Sequence, residues 1–320
     1  MSSLRPGRET HAGQIFRLLR EGASRRHLSL YYEPGLQWTS WAKTRDVLQG
    51  RGLHRQIRRA YGFLASRWRP GDRVFLFGYS RGAFAVRSLA GLIDRMGLLR
   101  HDAATERAVR LAWRHYERDP GAPAARAFAA RNCHAGVQIE MVGVWETVSA
   151  LGVRLPLVWR LTERQFRFHD ARLGAHIRHG FHALALDETR LAFAPLLWEC
   201  PPDWQGNVEQ VWFRGAHGDV GGQLAGFEAA RPLANIPLVW MLDRAEAVGL
   251  PLPAGWRDRF PCDAAAPMVG CNRGWGRFFL LRRRRRVGRD RSERLHPTAV
   301  AAPRRWPWAL VARRKPAPPR

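Results

Sequence analysis

The chain has 320 residues, 46% of them hydrophobic, with 14 Trp and 15 Phe, which is enough apolar side chain for one large α/β unit or two smaller ones. No stretch reaches the ~18 uninterrupted apolar residues that a membrane helix needs, and Met1 to Arg8 lacks the apolar centre of a secretory signal. A formal net charge of +26 raises nucleic acid and anionic membranes as partners, but 51 of the 53 basic residues are arginine, only Lys43 and Lys315 being lysine; such a skew is expected of GC-rich coding, and no specific nucleic acid is expected.

Residues Glu9 to Glu21 carry Ile15, Leu18 and Leu19 at helical spacing. His27 to Tyr32 reads as a short strand closed by the turn Glu33-Pro34-Gly35. A helix over Leu53 to Trp68 presents Ile57, Ala60, Tyr61 and Leu64, and Arg69-Pro70-Gly71-Asp72 breaks it. The apolar run Val74-Phe75-Leu76-Phe77 is a buried strand, and Ala83 to Ile93 is a helix rich in small residues. A further helical stretch, Ala103 to Asn132, is interrupted at Pro120-Gly121. Strands follow at Val137 to Trp145, Phe181 to Leu186 and Val208 to Phe213, and an amphipathic helix at Leu233 to Val248. Strands alternating with longer helices predict a mostly parallel sheet with helices on both faces.

Between the first buried strand and its helix stands Gly78-Tyr79-Ser80-Arg81-Gly82. Strand, G-x-S-x-G, helix is the nucleophile elbow of α/β-hydrolases, in which a sharp turn lifts the serine hydroxyl clear of the sheet. Glycines two residues either side let strand and helix approach without a Cβ collision. The Arg81 amide, at the helix N-terminus, is the candidate oxyanion donor.

A serine hydroxyl needs a base, and the base needs an orienting acid. Ser80, Glu146, Asp187 and His217 each fall at the carboxyl end of a strand, where active groups of parallel sheets gather. His217, in a glycine-rich loop after the last recognisable strand, is the candidate base, with His296 as the alternative. His182, inside a strand, is structural. Asp187 is the favoured acid because it ends the strand before that of His217; Glu146, ending the strand after the elbow, is the alternative. Asp219, two residues from His217, braces the loop through backbone amides. Cys133, Cys200, Cys262 and Cys271 form no C-x-x-C pair, so no zinc site is expected, and neither metal nor cofactor is assigned. Without a demand for disulfides, a reducing cytoplasm is the default location.

Several blocks together resemble one family: Tyr31-Tyr32-Glu33-Pro34-Gly35; Pro70 to Ala83 around the elbow; Val142-Gly143-Val144-Trp145-Glu146-Thr147-Val148; Ala183-Leu184-Ala185-Leu186-Asp187-Glu188; Val211 to Gly222; and Leu295-His296-Pro297-Thr298. They are similar to an α/β-hydrolase domain family of unknown function that includes Tle-type phospholipase effectors of bacterial type VI secretion. The resemblance implies an α/β-hydrolase-like fold and a serine hydrolase that cleaves a carboxylic ester, with a lipid ester as substrate class and signal-independent export as a possibility. Such domains open with an apolar strand ending in Asp-Gly-Thr, which this chain lacks before Glu9, so the fold is expected without its first family strand. A start placed too far downstream, or a degraded copy acting as an inactive interaction protein, are the two readings of that lack. The family also carries Asp where Glu146 stands.

The expected division is a hydrolase-like domain over residues 1–275 and a basic, Arg-, Pro- and Trp-rich tail over 276–320, mostly disordered. Phe278 to Arg286 sets apolar residues beside the run Arg282 to Arg286, an expected contact for an anionic membrane surface.

Overall fold

The computed structural model describes residues 9–23, 27–35, 51–148, 173–202, 206–273, 279 and 281–301. In chain order these form α1 (His11–Arg20), α2 (Arg51–Arg67), β1 (Val74–Tyr79), α3 (Arg81–Met96), the two-residue strand β2 (Leu98–Leu99), α4 (Glu106–Arg118), α5 (Pro123–Asn132) and the short β3 (Cys133–His134). There follow β4 (Ile139–Trp145), β5 (Ile177–Ala185), β6 (Asn207–Phe213), α6 (His217–Gly221), α7 (Arg231–Ala247), β7 (Glu293–Leu295) and α8 (Pro297–Ala301). The expected break at Pro120-Gly121 separates α4 from α5, with Pro123 at the start of α5, where a missing N–H costs nothing.

Five strands make one parallel sheet in the order β1-β4-β5-β6-β7. The expected α/β class is observed, and the sheet is open rather than a closed barrel. Alternation along β4 divides the core into two layers. Val142 and Val144 join Leu76, Leu92, Ile93 and Trp113 beneath α2, α3 and α4. Met141 and Trp145 join Ile15, Leu18, Phe181, Phe213 and Leu242 on the α1 and α7 side. At ~1.5–3 kcal/mol for each large apolar side chain taken from water, these two layers supply the driving force that holds the helices on the sheet.

Three expectations change. His27–Tyr32 is not a strand: no described strand runs beside it to complete its ladder, and Leu28 and Leu30 instead pack on the α1 side of the core. The helix expected to be amphipathic, α7, buries most of its circumference from Leu233 to Leu242, including Asn235 and the internal Pro237. The basic tail is not disordered throughout: residues 281–301 return to the sheet, and β7 pairs in parallel with β6 through Gln210, Val211 and Trp212. Glu293 anchors the return, accepting hydrogen bonds from the amides of Gly288, Arg289 and Asp290 and from the Trp212 indole. Residues 276–278, 280 and 302–320 of the expected tail lie outside the described residues. No helix among the described residues is long and apolar enough to cross a membrane.

Candidate active site

The strand order explains which residues meet. β1 and β4 are neighbours in parallel register, Tyr79 beside Trp145, so the residues just beyond them, Ser80 and Glu146, emerge side by side. The Ser80 amide continues the ladder by donating to the Trp145 carbonyl at 3.0 Å. Both residues then turn sharply, with φ of 59° at Ser80 and 48° at Glu146. Each left-handed non-glycine residue costs of order 1–3 kcal/mol, strain that concentrates at sites where a side chain must be aimed.

The elbow glycines differ. A Cβ at Gly78 would sit 2.5 Å from the Gly82 carbonyl oxygen, so glycine is required there for the helix to leave the strand so steeply. A Cβ at Gly82 would meet nothing within 4 Å. The expectation of two collision-avoiding glycines therefore holds for Gly78 alone.

His217 opens α6, just past β6, and is 4% exposed. Its Nε2 lies 2.9 Å from Ser80 Oγ and its Nδ1 3.1 Å from Glu146 Oε2. An ionised carboxylate only accepts, so Nδ1 carries the proton and Nε2 is left to accept from the serine hydroxyl. The ring is held between Tyr79, at a centroid distance of 4.9 Å, and Phe193, at 4.6 Å. The His217 backbone amide donates to the buried Glu188 carboxylate.

Of the two candidate acids, the structure brings Glu146 to the imidazole and not Asp187. Glu146 is fully buried, and its other oxygen accepts the Ala185 amide at 2.8 Å. Asp187 follows β5, one strand further from Ser80, and its Oδ2 accepts the Gly215 amide at 2.7 Å, fixing the loop that leads to His217. The alternative base, His296, lies beyond β7, stacked on Phe213 at 4.7 Å with Nδ1 on the Thr298 hydroxyl. His182 is enclosed by Gln210 and the Thr147 amide, and burial holds its pKa well below the usual histidine range. Asp219 accepts the amides of Ala216, Val269 and Gly270, the loop-bracing role expected of it. Burial raises its pKa against those bonds.

Sequence reasoning missed two charged residues at the site. Burial pushes Glu188 up, but hydrogen bonds and charge from Arg190 outweigh it and hold the carboxyl below its usual pKa. Arg285, concealed in a run of like residues, folds its guanidinium onto Glu146 Oε2 at 3.1 Å with a side chain only 6% exposed. Glu188 adjoins the strand-end Asp187 and could have been read with it; nothing in the run Arg282 to Arg286 singles out Arg285.

The family model for the catalytic domain of Tle1-like phospholipase effectors of type VI secretion matches residues 2–244. An uncharacterized Saccharomyces cerevisiae protein, YEL023C, is 29% identical over 221 residues, covering 60% of this chain and 30% of the yeast protein. A crystal structure of an uncharacterized Pseudomonas aeruginosa protein superposes with a TM-score of 0.35 at 19% identity, covering 69% of this chain and 30% of that one. The chain thus spans about a third of the length of these two proteins.

Proposed function

The chain belongs to the Tle1-like family of type VI phospholipase effector catalytic domains, and from that premise we propose that it is a serine hydrolase cleaving a carboxylic ester of a phospholipid through an acyl-enzyme. The single observation that carries the reading is the contact chain Ser80 Oγ, His217 Nε2, His217 Nδ1, Glu146 Oε2, with steps of 2.9 and 3.1 Å.

Ser80 Oγ attacks the ester carbonyl carbon as its proton passes to His217 Nε2. Glu146 holds the ring and balances the imidazolium. The carbonyl oxygen becomes an oxyanion facing the Arg81 amide, at the positive end of α3. Collapse expels the alcohol of the lysolipid, which takes the proton from Nε2 and leaves the acyl group on Ser80. Water then repeats the sequence, with His217 as base, and releases the carboxylic acid and free Ser80. Fatty-acid release from mixed phospholipid vesicles tests this: Ser80→Ala removes it, and equal release by both proteins overturns the proposal.

One observation favours a surface-bound enzyme. Leu281 and Val287, 59% and 39% exposed, flank exposed arginines of the run Arg282 to Arg286 on the folded part of the chain. We propose that this strip rests on anionic lipid; Leu281→Asp reduces vesicle co-sedimentation, and unchanged binding at low salt rejects it. The alternative reading is a hydrolase fold that binds lipid without cleaving it. Vesicle binding with no ester cleavage by wild type supports that reading.

A further inference from the structure

We infer that Arg285 is a positioning residue that sets the pH range in which His217 works as a base; the inference rests on the serine-hydrolase reading and adds a group to it. Arg285 Nη2 and His217 Nδ1 both address one oxygen, Glu146 Oε2, each at 3.1 Å. Nε of the same guanidinium donates to the Glu188 carbonyl at 3.1 Å, and Nη2 also donates to the Phe193 carbonyl. Nη1 is buried without a hydrogen-bond partner. The group is thus held by Glu146 and two carbonyls at the cost of an unsatisfied donor, which marks a placement beyond simple saturation of bonds.

The electrostatic consequence follows from burial. Glu146 has no solvent exposure, so its charge is balanced by neighbours rather than by water. With Arg285 in place that balance does not require a proton on Nε2 of His217, and the nearby guanidinium disfavours one. Without it, protonating the imidazole becomes the way to neutralise Glu146. Among the described residues, the other charged or titratable groups around His217 are Ser80 and Tyr79 at the elbow, Glu188 and Arg190 after β5, and Asp219 on its own helix. Glu188 is already matched by Arg190, and Asp219 is turned into backbone amides. Arg285 is therefore the cation positioned to act on the Glu146–His217 pair.

The same contacts assign a second consequence to the segment after residue 281. Arg285 reaches Glu146 only because the chain crosses the site, pairing Arg190 with Arg282 and donating the Arg283 amide to the Thr189 carbonyl. The site is thus completed by residues beyond 244, where the family match ends.

The test compares full-length wild type, Arg285→Met and Arg285→Lys. Methionine keeps length and removes charge; lysine keeps charge. Two readouts are followed across pH 5–9: the His217 imidazole signal in ¹³C-histidine-labelled protein, assigned by its loss in His217→Gln, and the rate of fluorophosphonate labelling. Expected is an upward move of the histidine midpoint in Arg285→Met, a matching upward move of the acid limb of labelling, and a profile near wild type in Arg285→Lys. Coincident histidine midpoints in wild type and Arg285→Met overturn the inference whatever the activity. A shifted midpoint in protein that never labels keeps the electrostatic role and overturns the hydrolase reading instead. If Arg285→Met does not fold, Arg285→Gln replaces it, and a midpoint equal to wild type there is equally fatal.

Discussion

Ser80 and Glu146 stand on the same rung just past two adjacent parallel strands, each in left-handed backbone, tied by the hydrogen bond from the Ser80 amide to the Trp145 carbonyl. Their proximity is therefore a property of the sheet rather than of two loops. His217, carried from β6 by a loop that Asp187 and Asp219 brace, is the only one of the three set by loop conformation.

The elbow glycines separate in a paired substitution. Gly78→Ala drives a Cβ into the Gly82 carbonyl and should cost at least the ~1–3 kcal/mol of an overpacked core. Gly82→Ala meets open space and should leave stability within about 0.5 kcal/mol, as a helical Ala is no worse than Gly. Urea unfolding of both proteins checks this; equal losses would show that the turn, not the Cβ clash, governs.

The two carboxylates separate likewise. Glu146→Gln loses the charge facing Nδ1 and should lower kcat/KM by about 10²–10⁴-fold, the scale seen when a triad acid becomes an amide. Asp187→Asn still offers an oxygen to the Gly215 amide and should cost less than about tenfold. A reversed order would return the acid role to Asp187.

Two enclosed histidines predict loss of stability in acid. Burial lowers His11 from 6.5 to about 3, and lowers His182 well below its usual range. The folded chain thus binds these protons more weakly than the unfolded one. The stability that His11 carries is complete above about pH 6.5 and is lost as pH falls toward 3, by up to about 1.4 kcal/mol per unit, and His182 adds a loss in the same direction. His11→Phe, which keeps a ring against Trp145 but cannot titrate, should flatten the decline in unfolding free energy between pH 7 and 5. An unchanged slope would remove His11 from the account.

The returning segment is structural. Glu293→Ala strands three backbone amides and the Trp212 indole and should cost several kcal/mol, each orphaned donor being worth about 1–3. Truncation after residue 275 should be worse, because it removes β7 and uncovers Trp212. Thermal melts of both proteins at wild-type values would restore the reading of a disordered tail.

What the sequence made legible was local. Apolar runs marked β1, β4, β5 and β6, and the G-x-S-x-G turn marked the elbow, because period and turn chemistry are written in neighbouring residues. Glu146 and Asp187 looked equivalent because each ends a strand; only the order β1-β4-β5, a tertiary fact, puts one beside Ser80 and the other a strand away. Arg285 was illegible for a different reason, since its four arginine neighbours share its chemistry and differ only in where the fold turns them. β7, three residues long and carrying Glu293 and Arg294, has no apolar run to announce it.

The most direct test of the central claim is to treat the folded chain with a fluorophosphonate and map the modified peptide by mass spectrometry, wild type beside Ser80→Ala. One adduct is expected, on Ser80, absent from Ser80→Ala. An adduct elsewhere, or none on a wild-type protein that melts cooperatively, would contradict it.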